Sequence, residues 1–156
     1  MCPDAEATRR AGEALGGVVQ AGDVLALIGD LGAGKTTLVH GLARGLGVRA
    51  AWVQSPTFTI VNQHRGRVAL VHVDLYRLDD AREMVEIGIG ETLRRDDAMV
   101  AMEWWPRLTV AGLPVPEHLA VTFSGDDTRV LTLRPVGERA AALAAAWLEA
   151  ARRPVL

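Results

Sequence analysis

The sequence predicts an α/β fold: a mixed sheet with a parallel core and antiparallel hairpins, flanked by helices. Three observations point to it. Helical and extended patterns alternate along the chain. The apolar run Asp23–Ile28 passes through a glycine-rich turn straight into an amphipathic stretch, the strand–turn–helix order of a parallel unit. Two pairs of β-rich runs are each joined by a short polar turn, the pattern of a hairpin.

The elements follow in order. Residues Asp4–Val19 read as a helix, with Ala7, Ala11, Ala14, Leu15 and Val18 on its apolar side. Asp23–Ile28 reads as a buried parallel strand. Lys35–Leu46 is helical, with Leu38, Leu42 and Leu46 on one face. Thr57–His64 and Arg67–Asp74 form a hairpin about Arg65–Arg67. Asp79–Leu93 is helical but broken by Gly88 and Gly90. Ala98–Glu103 is a further apolar strand, and Ala111–Pro116 a loop. His118–Phe123 and Thr128–Arg134 make a second hairpin, and Glu138–Arg152 an alanine-rich closing helix. There is no internal repeat and no low-complexity linker.

Composition narrows the function classes. A chain of 156 residues holds one core comfortably, so a single domain over 1–156 is expected. The formal charge of −2 supplies no global field for nucleic acid. Cys2 is the only cysteine, which precludes an internal disulfide and suits a reducing cytosol. Asp4 and Glu6 near the start, in place of a basic then apolar segment, predict no signal peptide. No apolar run approaches the roughly 18 residues of a membrane span. The expected location is the cytoplasm.

The stretch Gly29-Asp30-Leu31-Gly32-Ala33-Gly34-Lys35-Thr36 fits G-x-x-x-x-G-K-[ST]. Glycines let successive amides turn towards one centre and leave room for a phosphate. The following helix contributes its positive end and unpaired N–H groups. Lys35 is the one lysine among 17 basic residues, a compact ammonium placed to reach β- and γ-phosphates. The Thr36 hydroxyl suits Mg²⁺, a hard cation. Two strands end in acids, at Asp74 and Glu103, where ligands gather in a parallel sheet. Such an acid ligates a metal, holds its water or orients an attacking water. Gln54–Thr59, with Ser55, Thr57 and Thr59 around Pro56, sits where a γ-phosphate sensor belongs. Arg77 follows Asp74 and is a candidate for phosphate charge, for a partner, or for a surface ion pair. Of Trp104 and Trp105, at least one suits the core and the other a lid over the nucleotide.

Taken together these residues resemble the TsaE family, the bacterial ATPases of tRNA threonylcarbamoyladenosine biosynthesis. "GDLGAGKTT" at Gly29–Thr37, "SPTFT" at Ser55–Thr59, "HVDLYRL" at His72–Leu78, "EIGI" at Glu86–Ile89 and "EW" at Glu103–Trp104 occur in that family's order. The resemblance spans Ala5–Pro116. It implies a small P-loop NTPase fold that binds ATP and Mg²⁺ and hydrolyses ATP slowly. It also implies association with TsaD and TsaB, which transfer the threonylcarbamoyl group; the ATPase does not. By position, Gly29, Asp30, Leu31, Gly32, Ala33, Gly34, Lys35, Thr36 and Thr37 form the phosphate loop. Thr36 and Glu103 are the implied magnesium partners, Asp74 the hydrolytic acid and Thr57 the nucleotide-sensing hydroxyl. Trp104 and Arg77 support the site, and Thr8 lies near the nucleotide. The "EWW" here departs from the commoner "EWP" or "EWS", which bears on the path after Glu103.

Two rival readings share the loop. A P-loop small-molecule kinase needs an acceptor pocket and an arginine-bearing lid, for which Arg94 and Arg95 are the candidates. A nucleotide-gated binding module needs no turnover. A GTPase is disfavoured, since no N-K-x-D segment is present. Contact with tRNA is expected only through the assembled complex.

Overall fold

The computed structural model describes residues 1–49, 60–78 and 80–153. These residues hold six strands and six helices. They are α1 (Ala5–Gly16), β1 (Val24–Ile28), α2 (Lys35–Gly45), β2 (Val61–His64), β3 (Ala69–Asp74) and α3 (Ala81–Glu86). Then follow α4 (Ile89–Leu93), β4 (Ala98–Glu103), α5 (Pro106–Val110), β5 (His118–Ser124), β6 (Val130–Val136) and α6 (Glu138–Arg152).

The strands form one mixed sheet in the order β2-β3-β4-β1-β5-β6. The four inner strands run parallel, and each edge strand is antiparallel to its neighbour. This is the expected architecture. Because successive side chains point to opposite faces, each inner strand feeds two cores. Leu25, Leu27, Leu70, Met99 and Val121 pack with Leu15 of α1, Leu38 and Leu42 of α2, and Trp147 of α6. Val24, Ala26, Val71, Val73, Val100 and Met102 pack with Met84 of α3, Ile89 and Leu93 of α4, and Leu108 of α5. Near-continuous apolar runs in β1 and β4 follow from burial on both faces.

Several boundaries differ from expectation. Helix α1 ends at Gly16 rather than Val19. There the Arg67 guanidinium, from the β2–β3 turn, donates to the carbonyls of Gly16 and Val19 at 2.8 Å each. The helix stops at the Gly16–Gly17 pair, and the Arg67 bonds to the carbonyls there are tertiary. Of the two suspected breaks, Gly88 takes φ +75° and separates α3 from α4, whereas Gly90 continues the helix. Helix α5, begun by Pro106 at its first position, was not expected.

Helices α1 and α2 meet backbone to backbone through Gly12, Gly16, Gly41 and Gly45. A β-carbon at Gly41 would lie 2.0 Å from the Arg9 carbonyl oxygen, which cannot rotate away. Gly41→Ala should therefore part the helices and cost about 1–3 kcal/mol. At roughly 2–4 °C per kcal/mol, thermal melting should fall by several degrees. An unchanged melting temperature would show that the helices are not in this contact.

Candidate functional site

Strand β1 delivers the chain to the loop 29–34, and α2 begins at Lys35. Two glycines make the turn: Gly32 has φ +80° and Gly34 φ +106°, angles that side chains rarely adopt. Beside Gly32 there is open space where a β-carbon would go. The start of α2 has no side-chain cap and no acid in its first turn. By contrast, Asp4 caps α1 by accepting from the Ala7 N–H at 2.7 Å, and Asp80 caps α3 by accepting from Arg82 N–H at 2.9 Å. The first intrahelical bond of α2 runs from Leu38 N–H to Gly34 O at 3.0 Å. The amides before Leu38 thus have no helical acceptor, and the helix dipole adds positive potential where they gather. The arrangement suits an anion.

Lys35 is buried at 5% exposure. Its ammonium donates to the loop's own carbonyls, at Gly29 and, at 3.1 Å, at Asp30. The Trp104 ring lies 4.3 Å from it. Burial pulls the Lys35 pKa down, and the nearby charges of Glu103, Asp74 and Asp30 oppose this.

The two strand-end acids arrive together because β3 and β4 are parallel and in register, Asp74 opposite Glu103. Both are buried, at 7% and 3% exposure. Thr36, in the first turn of α2, donates to the Glu103 carboxylate through long contacts of 3.3 and 3.4 Å. Asp74 accepts from the Tyr76 N–H at 2.9 Å. Burial pushes the Asp74 pKa up; the Tyr76 bond pulls it down, and Glu103 adds to the rise. Sequence reasoning gave His72 no role of its own, yet its Nε2 sits 2.6 Å from Glu103 Oε2. The available signal was a lone polar residue inside the apolar strand "VALVHVD".

Trp104 and Trp105 part company. Trp105 is buried with its ring 4.6 Å from that of His118. Trp104 takes φ +62°, alone among the described non-glycine residues, and its ring turns back over Lys35. Such backbone strain tends to occur at functional sites. The Tyr76 ring lies 5.1 Å from that of Trp104, tilted by 47°, and the Arg107 guanidinium lies 5.8 Å from the Trp104 ring. Arg107 was another residue that sequence reasoning passed over. The lining of Leu31, Gly32, Ala33, Gly34, Lys35, Thr36, Thr37, Asp74, Tyr76, Glu103 and Trp104 encloses about 160 Å³. A larger groove of about 940 Å³ runs between α1, β6 and α6, away from all of these residues. Convergent donors and acids, not size, mark the smaller one.

Thr8 is buried beside the loop, its methyl group 3.9 Å from where a Gly34 β-carbon would lie. Its hydroxyl donates back to Asp4 O at 3.2 Å. Arg77 is exposed in the turn after Asp74. Thr57 and the rest of Gln54–Thr59 lie outside the described residues. Arg94 and Arg95 precede β4, whereas Glu103 ends it, so the strand's whole length separates them from the loop. Arg95 pairs instead with Asp97 at 2.8 Å.

Among the described residues, no three His, Cys, Asp or Glu side chains are placed to hold a metal by themselves. Thr36, Glu103 and Asp74 offer hard oxygen donors, and two neighbouring buried acids favour a cation. That set fits Mg²⁺, which takes few protein ligands and completes its shell with phosphates and water.

Comparison with known proteins agrees. The family model described as threonylcarbamoyl adenosine biosynthesis protein TsaE matches residues 2–131. The tRNA threonylcarbamoyladenosine biosynthesis protein TsaE of Synechocystis is 54% identical over 110 residues, 68% of this chain and 69% of that one. Its Streptomyces coelicolor counterpart is 40% identical over 139 residues, covering 84% and 92%. The crystal structure of Bacillus subtilis YdiB superposes with a TM-score of 0.74 at 30% identity, covering 94% of this chain and 90% of that one. No helix among the described residues is long and apolar enough to cross a membrane. The motif order, the parallel core with its phosphate-type loop and these matches together establish that the chain belongs to the TsaE family of tRNA threonylcarbamoyladenosine biosynthesis proteins.

Proposed function

We propose that this protein is a cytoplasmic, ATP-binding and slowly hydrolysing accessory subunit of the tRNA threonylcarbamoyladenosine machinery. It works beside TsaB and TsaD homologues, does not itself transfer the threonylcarbamoyl group, and meets tRNA only through the assembly. The observation that carries the reading is the uncapped start of α2 behind Gly32 and Gly34, with Lys35, Thr36, Asp74 and Glu103 around it.

In this reading the loop amides and the Lys35 ammonium bind the phosphates, and Lys35 exchanges the Gly29 and Asp30 carbonyls for phosphate oxygens. Thr36 and Glu103 hold Mg²⁺, with Asp74 nearby. When bound, the ion neutralises charge on the phosphate oxygens. Asp74, its affinity for protons raised by burial, orients and deprotonates the attacking water. Trp104 covers the site and limits access of bulk water. Thr57 is the proposed sensor of the terminal phosphate. The distance of Arg94 and Arg95 from the loop disfavours the kinase alternative.

Calorimetric titration of the purified protein with ATP and Mg²⁺ should show saturable binding at one site per chain. Product analysis should find free phosphate and no phosphorylated metabolite. A flat thermogram would overturn the reading. Binding without any phosphate release would favour the nucleotide-gated module instead.

A further inference from the structure

We propose that His72 is a positioning residue for the metal site, acting through Glu103; this rests on the magnesium reading above. His72 lies on the β3 face that carries Leu70 into the core and Asp74 into the site. It is fully buried, at 0% exposure, in a strand otherwise apolar up to Asp74. A buried imidazole is costly unless its hydrogen bonding is used. Here Nε2 meets Glu103 Oε2 at 2.6 Å, a short contact. A carboxylate only accepts, so Nε2 carries the proton and donates. The other ring nitrogen, Nδ1, is buried and has no hydrogen-bond partner among the described residues. An isosteric apolar residue would have avoided that orphan atom, so the ring's one short bond is what its presence supplies.

The geometry explains what that bond does. Glu103 Oε2 is fixed from below by His72, while the Thr36 hydroxyl lies 3.3 Å from Oε1 and 3.4 Å from Oε2, contacts too long and too evenly shared to set the carboxylate's direction. One carboxylate oxygen is thereby anchored to the sheet by a short bond, and the other has only the long contact with Thr36 among the described residues. Without His72 the carboxylate can rotate about its last bond, and both oxygens lose a defined direction. Groups that orient a ligating carboxylate commonly change metal affinity by about 10–100-fold when removed.

The test compares His72→Leu, His72→Asn and His72→Gln with the wild-type protein, using Mn²⁺ as a paramagnetic substitute for Mg²⁺. Binding of Mn²⁺ in the presence of ADP is read by electron paramagnetic resonance, and ADP binding without metal is measured separately. Glutamine presents its amide near the position of Nε2; asparagine is too short, and leucine has no donor. His72→Leu and His72→Asn should weaken Mn²⁺ binding about tenfold or more, with metal-free ADP binding unchanged. His72→Gln should recover most of the loss. If His72→Leu does not fold, the contrast between asparagine and glutamine decides. Mn²⁺ affinity within about twofold of wild type in the folded donor-less variants would overturn the positioning role. So would a glutamine variant no better than asparagine. A wild-type protein that binds no Mn²⁺ with nucleotide would instead overturn the magnesium reading on which this one stands.

Discussion

Lys35→Ala is expected to reduce ATP hydrolysis by at least about 10²–10³-fold, the scale set by loss of one preorganised donor to a developing oxyanion. The effect should be this large because few cations serve the loop. Lys35 is the only lysine of the chain, it is held within reach of the loop by two carbonyls, and it is desolvated. The folded protein should not suffer in proportion. Burial lowers the Lys35 pKa, so the folded state binds its proton less tightly than the unfolded state does. That cost is present in full below the folded value and fades as pH rises towards the unfolded value. Lys35→Met, which keeps most of the stem, should therefore lose little stability near neutral pH, the relieved burial of charge offsetting the lost bonds to Gly29 and Asp30. A pairing of lost turnover with retained stability places the defect in the site. Turnover that survives Lys35→Ala would remove the site from the account.

Asp74→Asn is expected to cut turnover by about 10²–10⁴-fold, the usual contribution of a positioned acid or base. It should also raise the melting temperature of the nucleotide-free protein. The amide oxygen still accepts from Tyr76 N–H, so the local turn survives. What disappears is a buried negative charge next to a second one, Glu103. The direction with pH follows from the raised value. Below the ordinary carboxylate range both folded and unfolded chains are protonated, and the variant gains nothing. As pH climbs from about 4 through the raised folded value, wild type loses stability to the unfavourable charge and the variant does not. Melting curves at a series of pH values should show the gap opening in that direction. A gap that closes as pH rises would mean that Asp74 is stabilised as the anion. Saturating Mg²⁺ and nucleotide should shrink the gap, because a cation beside Asp74 favours its charge.

Much of the fold and of the site was legible along the chain. The glycine-rich turn showed itself because its residue types are dictated locally: positive φ at Gly32 and Gly34 admits little else. Asp74 and Glu103 were legible because each ends an apolar run, and such runs are parallel inner strands whose ends share one side of the sheet. The hairpins were legible from their turns. Other features were not, and for a common reason. His72 stands out along the chain only as a polar residue in an apolar strand, and its partner is seen once β4 is laid beside it. Trp104 and Trp105 are chemically the same, and only the left-handed backbone at Trp104 sends one ring to Lys35 and the other to His118. Arg67, which binds carbonyls at the end of α1, arrives from the distant β2–β3 turn.

By itself, then, the sequence determined the class of fold, the phosphate-type loop with its lysine, and the two acids that accompany it. These rest on backbone angles, hydrophobic period and strand ends, all of which act over a few neighbouring residues. Tertiary structure alone decided that Asp74 stands opposite Glu103, that His72 anchors that carboxylate, and that Arg94 and Arg95 lie at the wrong end of β4 to serve the loop. Those facts depend on strand order and register, which bring together residues tens of positions apart, and no local preference encodes them.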